Sequence, residues 1–187
     1  MIEPLAVSPE EKAELRRNFE FGAYLGITQY LAKRYGFGEL HSFAEYWAEL
    51  AAEGRRGLIA KSQREFMKTE AKVEKVWVER EVVRLDDEAY VGVVDVCPLR
   101  KVINANRDEL PEDYFCDNIC AVMYPEGYRL LGLETTITKS DKGCRLEIDL
   151  KGHQPLSVEP ILGRRKSQKN SPKRRLHLFE RMPSSSI

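Results

Sequence analysis

The sequence predicts an α+β domain in which N-terminal helices pack on an antiparallel four-stranded sheet, with one helix inserted between strands two and three. Three observations carry that prediction. Apolar residues recur at helical spacing up to about Thr69, the period becomes extended from Lys72 onward, and a short cysteine-bearing helical segment then separates two pairs of strands.

Ser8-Pro9-Glu10-Glu11 is a helix start, with a hydroxyl N-cap, proline at the first helical position and an acidic residue placed for a capping box. Leu15, Phe19, Ala23, Ile27 and Tyr30 follow at helical spacing as the expected core stripe, and Gly36 and Gly38 stop the run. Ser42-Phe43-Ala44-Glu45 repeats the capping pattern for a second helix ending near Gly54, and a third is expected from about Leu58 to Thr69.

A strand rich in valine runs from Lys72 to Leu85, and the turn Asp86-Asp87-Glu88 folds it into a hairpin with a second strand, Tyr90 to Val96. Cys97-Pro98 ends that strand, because proline cannot donate to the ladder. A polar connection containing Asn104, Asn106 and Asp108 leads to a helix that starts near Pro111 and ends near Pro125-Glu126-Gly127. Strand three, Tyr128 to Thr138, and strand four, Gly143 to Lys151, are joined by a tight turn at Ser140-Asp141-Lys142-Gly143. Strand four alternates cleanly, so Cys144, Leu146, Ile148 and Leu150 share the core face.

Residues 1–152 are read as a single α+β domain and 153–187 as a basic C-terminal tail expected to be disordered, with Arg175 to Met182 as its one element-like segment. The formal net charge of zero conceals this division: nine Lys or Arg face two Glu after residue 150, against 21 and 28 acidic residues before it. No aromatic residue interleaves the basic run, so nucleic acid is not expected as a partner. There is no apolar signal region and no run of the roughly 18 residues a membrane span requires, which leads to the expectation of a cytoplasmic protein with no membrane partner.

Four cysteines in such a chain read as reduced thiols rather than a disulfide framework. Cys116 and Cys120 lie four apart on a helix, and Cys97 and Cys144 could face them. Packing, a reactive or substrate-contacting thiol, and a thiolate metal site all remain open; close CxxC pairs are absent, so no metal ligands are assigned, and cofactors remain unknown. Cys120, with its apolar neighbours, is expected to pack. Asp117, beside Cys116, is a candidate general base, and Asp95 is a carboxylate in an otherwise apolar strand, on the face of Cys97. His41 reads as a surface or capping residue. Thr136, in the run Thr135 to Thr138, offers a hydroxyl to a polar ligand. No GxGxxG, P-loop, GxSxG or HExxH pattern occurs.

The elements Cys116-Asp117, Glu134-Thr135-Thr136, Asp141-Lys142-Gly143-Cys144 and Leu146-Glu147-Ile148 resemble the L-2-amino-thiazoline-4-carboxylic acid hydrolase family over about a third of the chain. The chain has Glu134 where that family favours arginine, and Leu146 where it favours an aromatic residue. The resemblance implies ring-opening hydrolysis of a small cyclic C–N/C–S substrate such as an aminothiazoline carboxylate. Asp117 would then be the base, Cys116 the nucleophile or proton donor, and Cys97, Asp95, Cys144 and Thr136 the pocket lining. The layout is also similar to vinyl-reductase-like small-molecule-binding domains, which implies the competing expectation of a non-catalytic binding or sensor domain. The expected partner is a small-molecule ligand or substrate, and a homodimer is left open.

Overall fold

The computed structural model describes residues 8–59 and 62–151. The expected tail therefore lies outside the described residues. Helix α1 spans Pro9–Tyr35, and its capping box is present: Ser8 Oγ accepts from the Glu11 amide at 3.1 Å, and the Ser8 amide donates to Glu11 Oε2 at 2.8 Å. Gly36, at φ 84°, closes it in a conformation that L side chains rarely adopt. The buried side of α1 carries Phe21, Thr28 and Ala32. The stripe expected to face the core, Leu15 through Tyr30, instead faces outward.

Helix α2, Phe37–Ile59, begins directly after Gly36, so Ser42 is internal and donates to the Gly38 carbonyl rather than capping a start, and Gly54 does not end the helix. Leu40, Ala44, Ala48, Ala52 and Ile59 form its buried side. Helix α3 spans Gln63–Val78, capped by Ser62 and ended at Glu79 in the left-handed region. It occupies the segment that reads as extended from Lys72. Phe66, Met67, Glu70 and Glu74 share its buried face, and that tertiary burial outweighs the strand propensity of Val73, Trp77 and Val78.

Strands β1 (Glu81–Leu85), β2 (Ala89–Val94), β3 (Glu134–Lys139) and β4 (Cys144–Asp149) form an antiparallel sheet in the order β1-β2-β4-β3. Asp86 closes the first hairpin by accepting from the Glu88 and Ala89 amides at 2.9 Å each. Its bond to Arg84, joined by these amides, lowers its pKa to about 2. The sheet's inner face buries Tyr90, Val94, Leu146 and Ile148, while Glu134, Thr136, Arg145 and Glu147 are exposed on the other.

The expected polar connection contains a helix, α4 (Pro98–Ala105), whose N-cap is Cys97: its Sγ accepts from the Arg100 amide at 3.4 Å. Beyond it a π-helical turn, Cys116–Cys120, runs straight into α5, Ala121–Leu130. Helix α5 does not end at Pro125, which lies inside it, and β3 therefore starts at Glu134 rather than Tyr128. Helix α5 stays helical because it seats against α2, where Gly127 lies over Ala48 and Tyr128 is buried.

Candidate ligand cavity

Between the inner face of the sheet and helices α2, α3 and α5 lies a cavity of about 230 Å³. Its walls are mostly apolar and aromatic, including Trp47, Trp77, Phe115, Met123 and Ile137, and Tyr24 packs tilted against Trp47 with ring centroids 4.6 Å apart. By comparison, an apolar cavity of ~150 Å³ is enough to hold benzene.

Set into this wall is a buried polar chain. Arg80 follows α3 and is 2% exposed; its Nη1 lies 3.0 Å from Glu74 Oε2, its guanidinium sits 5.2 Å from the Tyr124 ring centroid, and its Nη2 donates to Cys144 Sγ at 3.9 Å. Tyr124 donates to Glu74 at 3.1 Å. Arg55 donates to Glu70 at 2.8 Å, and Tyr128 donates to the same carboxylate at 3.4 Å. Burial opposes the charge on Arg80, but Tyr124 and Glu74 outweigh it and raise its pKa. Burial likewise raises the pKa of Glu70, against the pull of Arg55. Two arginines thus balance two glutamates inside the protein.

The balance of charge leaves hydrogen bonds unmade. Arg80 Nε and Nη1 make no aligned hydrogen bond, although Nη1 is ion-paired to Glu74 at 3.0 Å and the Tyr90 hydroxyl interacts with the guanidinium; these atoms are fully covered by the protein. Room for the Arg80 stem exists because β2 carries glycine at this point: a Cβ on Gly92 would come within 2.4 Å of Arg80 Cδ.

The predicted site residues divide between this cavity and the surface. Cys97 and Cys144 line the cavity, as does Cys120, the cysteine expected only to pack. Burial raises the pKa of the Cys97 and Cys144 thiols. Cys116 is half-buried and is not part of the lining; a hydrogen bond from Cys120 lowers its pKa, and the same bond raises that of Cys120. Asp117 is exposed and ion-paired to Lys139 at 2.7 Å, so it does not face the cavity. Asp95 is exposed in the bend after β2, which ends at Val94, two residues before the expected position. Thr136 points to the exposed face of β3, in register with Glu147, so it does not line the cavity either. His41 is exposed and hydrogen-bonded to Asn118 at 2.8 Å. Among the described residues no group of three or more His, Cys, Asp or Glu is arranged to hold a metal ion.

Beside the cavity, Asp113 accepts from Arg100 Nε and Nη2 at 2.6 Å each and from Asn104 at 2.8 Å, with Lys139 at 3.2 Å. Arg100, then Asn104 and Lys139, hold its carboxyl well below the usual range despite burial. Arg100 also donates to the Ser140 carbonyl at 2.6 Å, which fixes the β3–β4 turn against α4.

Sequence reasoning missed Arg80, Glu70 and Glu74. The available signal was the pair Glu70 and Glu74, four residues apart on the stripe of Phe66 and Met67, but it is visible only once the segment is read as a helix. Comparison with known proteins finds no matching family model, no matching curated protein and no matching solved structure.

Proposed function

We propose that this chain is a small-molecule-binding protein whose ligand occupies the cavity between the sheet and helices α2, α3 and α5. The ligand is a compact cyclic or aromatic compound bearing one strong hydrogen-bond acceptor, a carboxylate or a carbonyl. The observation that carries this reading is Arg80: a buried guanidinium in the wall of a mostly apolar cavity, whose Nη2 makes only a long 3.9 Å contact with Cys144 Sγ. The ring body would lie against Trp47 and Trp77, and its acceptor would meet Arg80 Nη2 in place of the long contact with Cys144. Native mass spectrometry of the purified chain, followed by thermal-shift measurements with small cyclic carboxylates, tests it. A bound compound, or a shift present in wild type and lost in Arg80→Lys, supports the reading. No shift with any such compound and no bound mass would overturn it.

A second reading, hydrolysis of an aminothiazoline carboxylate, is favoured by one specific observation: Glu74, Arg80 and the Cys144 thiol meet at one wall of the cavity. Arg80 would take the carboxylate and Glu74 the amidine nitrogen. Water adds to the amidine carbon, the ring carbon–sulfur bond breaks, and the sulfur leaves as a thiol once protonated, giving an N-carbamoyl cysteine. Under this reading Glu74→Gln abolishes turnover. The Cys116–Asp117 pair, inferred from the family resemblance, makes the opposite prediction. If Cys116→Ser and Asp117→Asn lose turnover while Glu74→Gln retains it, the chemistry belongs to that pair.

A further inference from the structure

We infer that the chain forms a two-fold homodimer through the outer face of α1, with the helices of the two copies antiparallel. Helix α1 is apolar on two sides. One side, with Phe21, Thr28 and Ala32, is buried against the rest of the protein. The opposite side presents Leu15, Phe19 and Tyr30, which are 62%, 78% and 58% exposed, together with Ile27. Among the described residues Tyr35 meets Tyr30 edge-on, and the stripe otherwise stays exposed. Lys12 and Arg16 border this side, but the run of large exposed apolar residues between them and Tyr30 marks a surface that is covered in the functional state.

The stripe is self-complementary. Between its large residues lie Gly22, Ala23 and Gly26, and at both glycines an added Cβ would meet nothing within 4 Å. When two copies run antiparallel about an axis between residues 22 and 23, Phe19 of one faces Gly26 of the other, and Leu15 faces Tyr30. Large side chains then meet open backbone, as close helix packing requires. Charge selects the same direction. The first turn of α1 carries Glu10 and Glu11 and the last carries Lys33 and Arg34, so an antiparallel pair brings the acidic end of one copy to the basic end of the other, whereas a parallel pair sets like ends together; Lys12 then faces the partner's Lys33, whose charge is already met by Asp108. A two-fold interface of this kind repeats each contact twice.

Sedimentation velocity of the full chain at micromolar concentrations tests the proposal. Wild type sediments as a dimer, and Phe19→Asp raises its dissociation constant at least tenfold while circular dichroism and the thermal midpoint stay unchanged, because this side chain is exposed in the monomer. Direction is read by cross-linking, with wild type and its four native thiols as the control. Gly22→Cys and Ala23→Cys give a covalent dimer on a non-reducing gel; Leu15→Cys does not, because the two copies of residue 15 lie about 22 Å apart along the pair. A wild-type monomer, a dimer indifferent to Phe19→Asp, or equal cross-linking at residue 15 would overturn the proposal. So would a monomer that cosediments with anionic vesicles through Phe19, since the stripe would then belong to a membrane surface.

Discussion

Arg80 lies where Gly92 has no side chain, and the two residues make one feature of the cavity. Gly92→Ala places a Cβ within 2.4 Å of the middle of the arginine stem, which cannot swing aside as a flexible tip could. The expected loss is about 1–3 kcal/mol by chemical denaturation, with loss of any ligand-dependent thermal shift. A second residue-scale prediction concerns Asp113. Asp113→Asn keeps the side-chain shape and the tolerance for φ 61°, but leaves the Arg100 charge uncompensated, at a cost of about 3–5 kcal/mol at neutral pH. The folded pKa of Asp113 is depressed, so its contribution is complete above the unfolded value of about 4 and is lost as pH falls below it toward the folded one. The stability difference between wild type and Asp113→Asn therefore narrows in acid; a difference independent of pH would rule out the ion pair as its source. At this scale the inward placement of Cys144 was legible from alternation along β4. Arg80 was not, because it follows a segment whose valines read as extended and whose paired glutamates show their common face only in a helix.

Elements were legible where a local signal and tertiary burial agree. Ser8 and Gly36 bound α1 as expected, and the Asp86 turn joins β1 to β2. Where they conflict, burial decided: α3 extends through β-branched residues, and α5 passes through Pro125 because its seat against α2 needs the full helix. Periodicity also found an apolar stripe on α1 but could not say which of two such sides is inward. The second hairpin is held at Gly143. A Cβ there would fall 1.6 Å from the Val94 carbonyl oxygen, and the neighbouring Lys142 carbonyl accepts from the Cys97 amide at 2.9 Å. Gly143→Ala should therefore shift the turn away from β2, lower stability by about 2 kcal/mol or more and expose Cys97. The measurement is the rate at which a thiol reagent modifies Cys97 in the variant, by peptide mass mapping. A rate equal to wild type would show that the turn does not hold that cysteine in place.

For the whole molecule, α+β class and antiparallel pairing follow from local patterns, because both hairpins close through short turns. The join of β2 to β4 does not, since it pairs residues 50 to 60 positions apart and depends on how α4 and α5 pack between them. The cavity belongs to this scale as well, being lined from several helices and the sheet together rather than by any one motif. Ala51, on α2, lines it. Ala51→Leu fills part of the space and is expected to raise the stability of the ligand-free chain by about 1 kcal/mol, while reducing the thermal shift produced by the cyclic carboxylate that stabilises wild type. The two effects must move in opposite directions. A variant that is more stable and still responds fully to that compound would place the binding site elsewhere, and one that is less stable would mean that the cavity has no room for the added carbons.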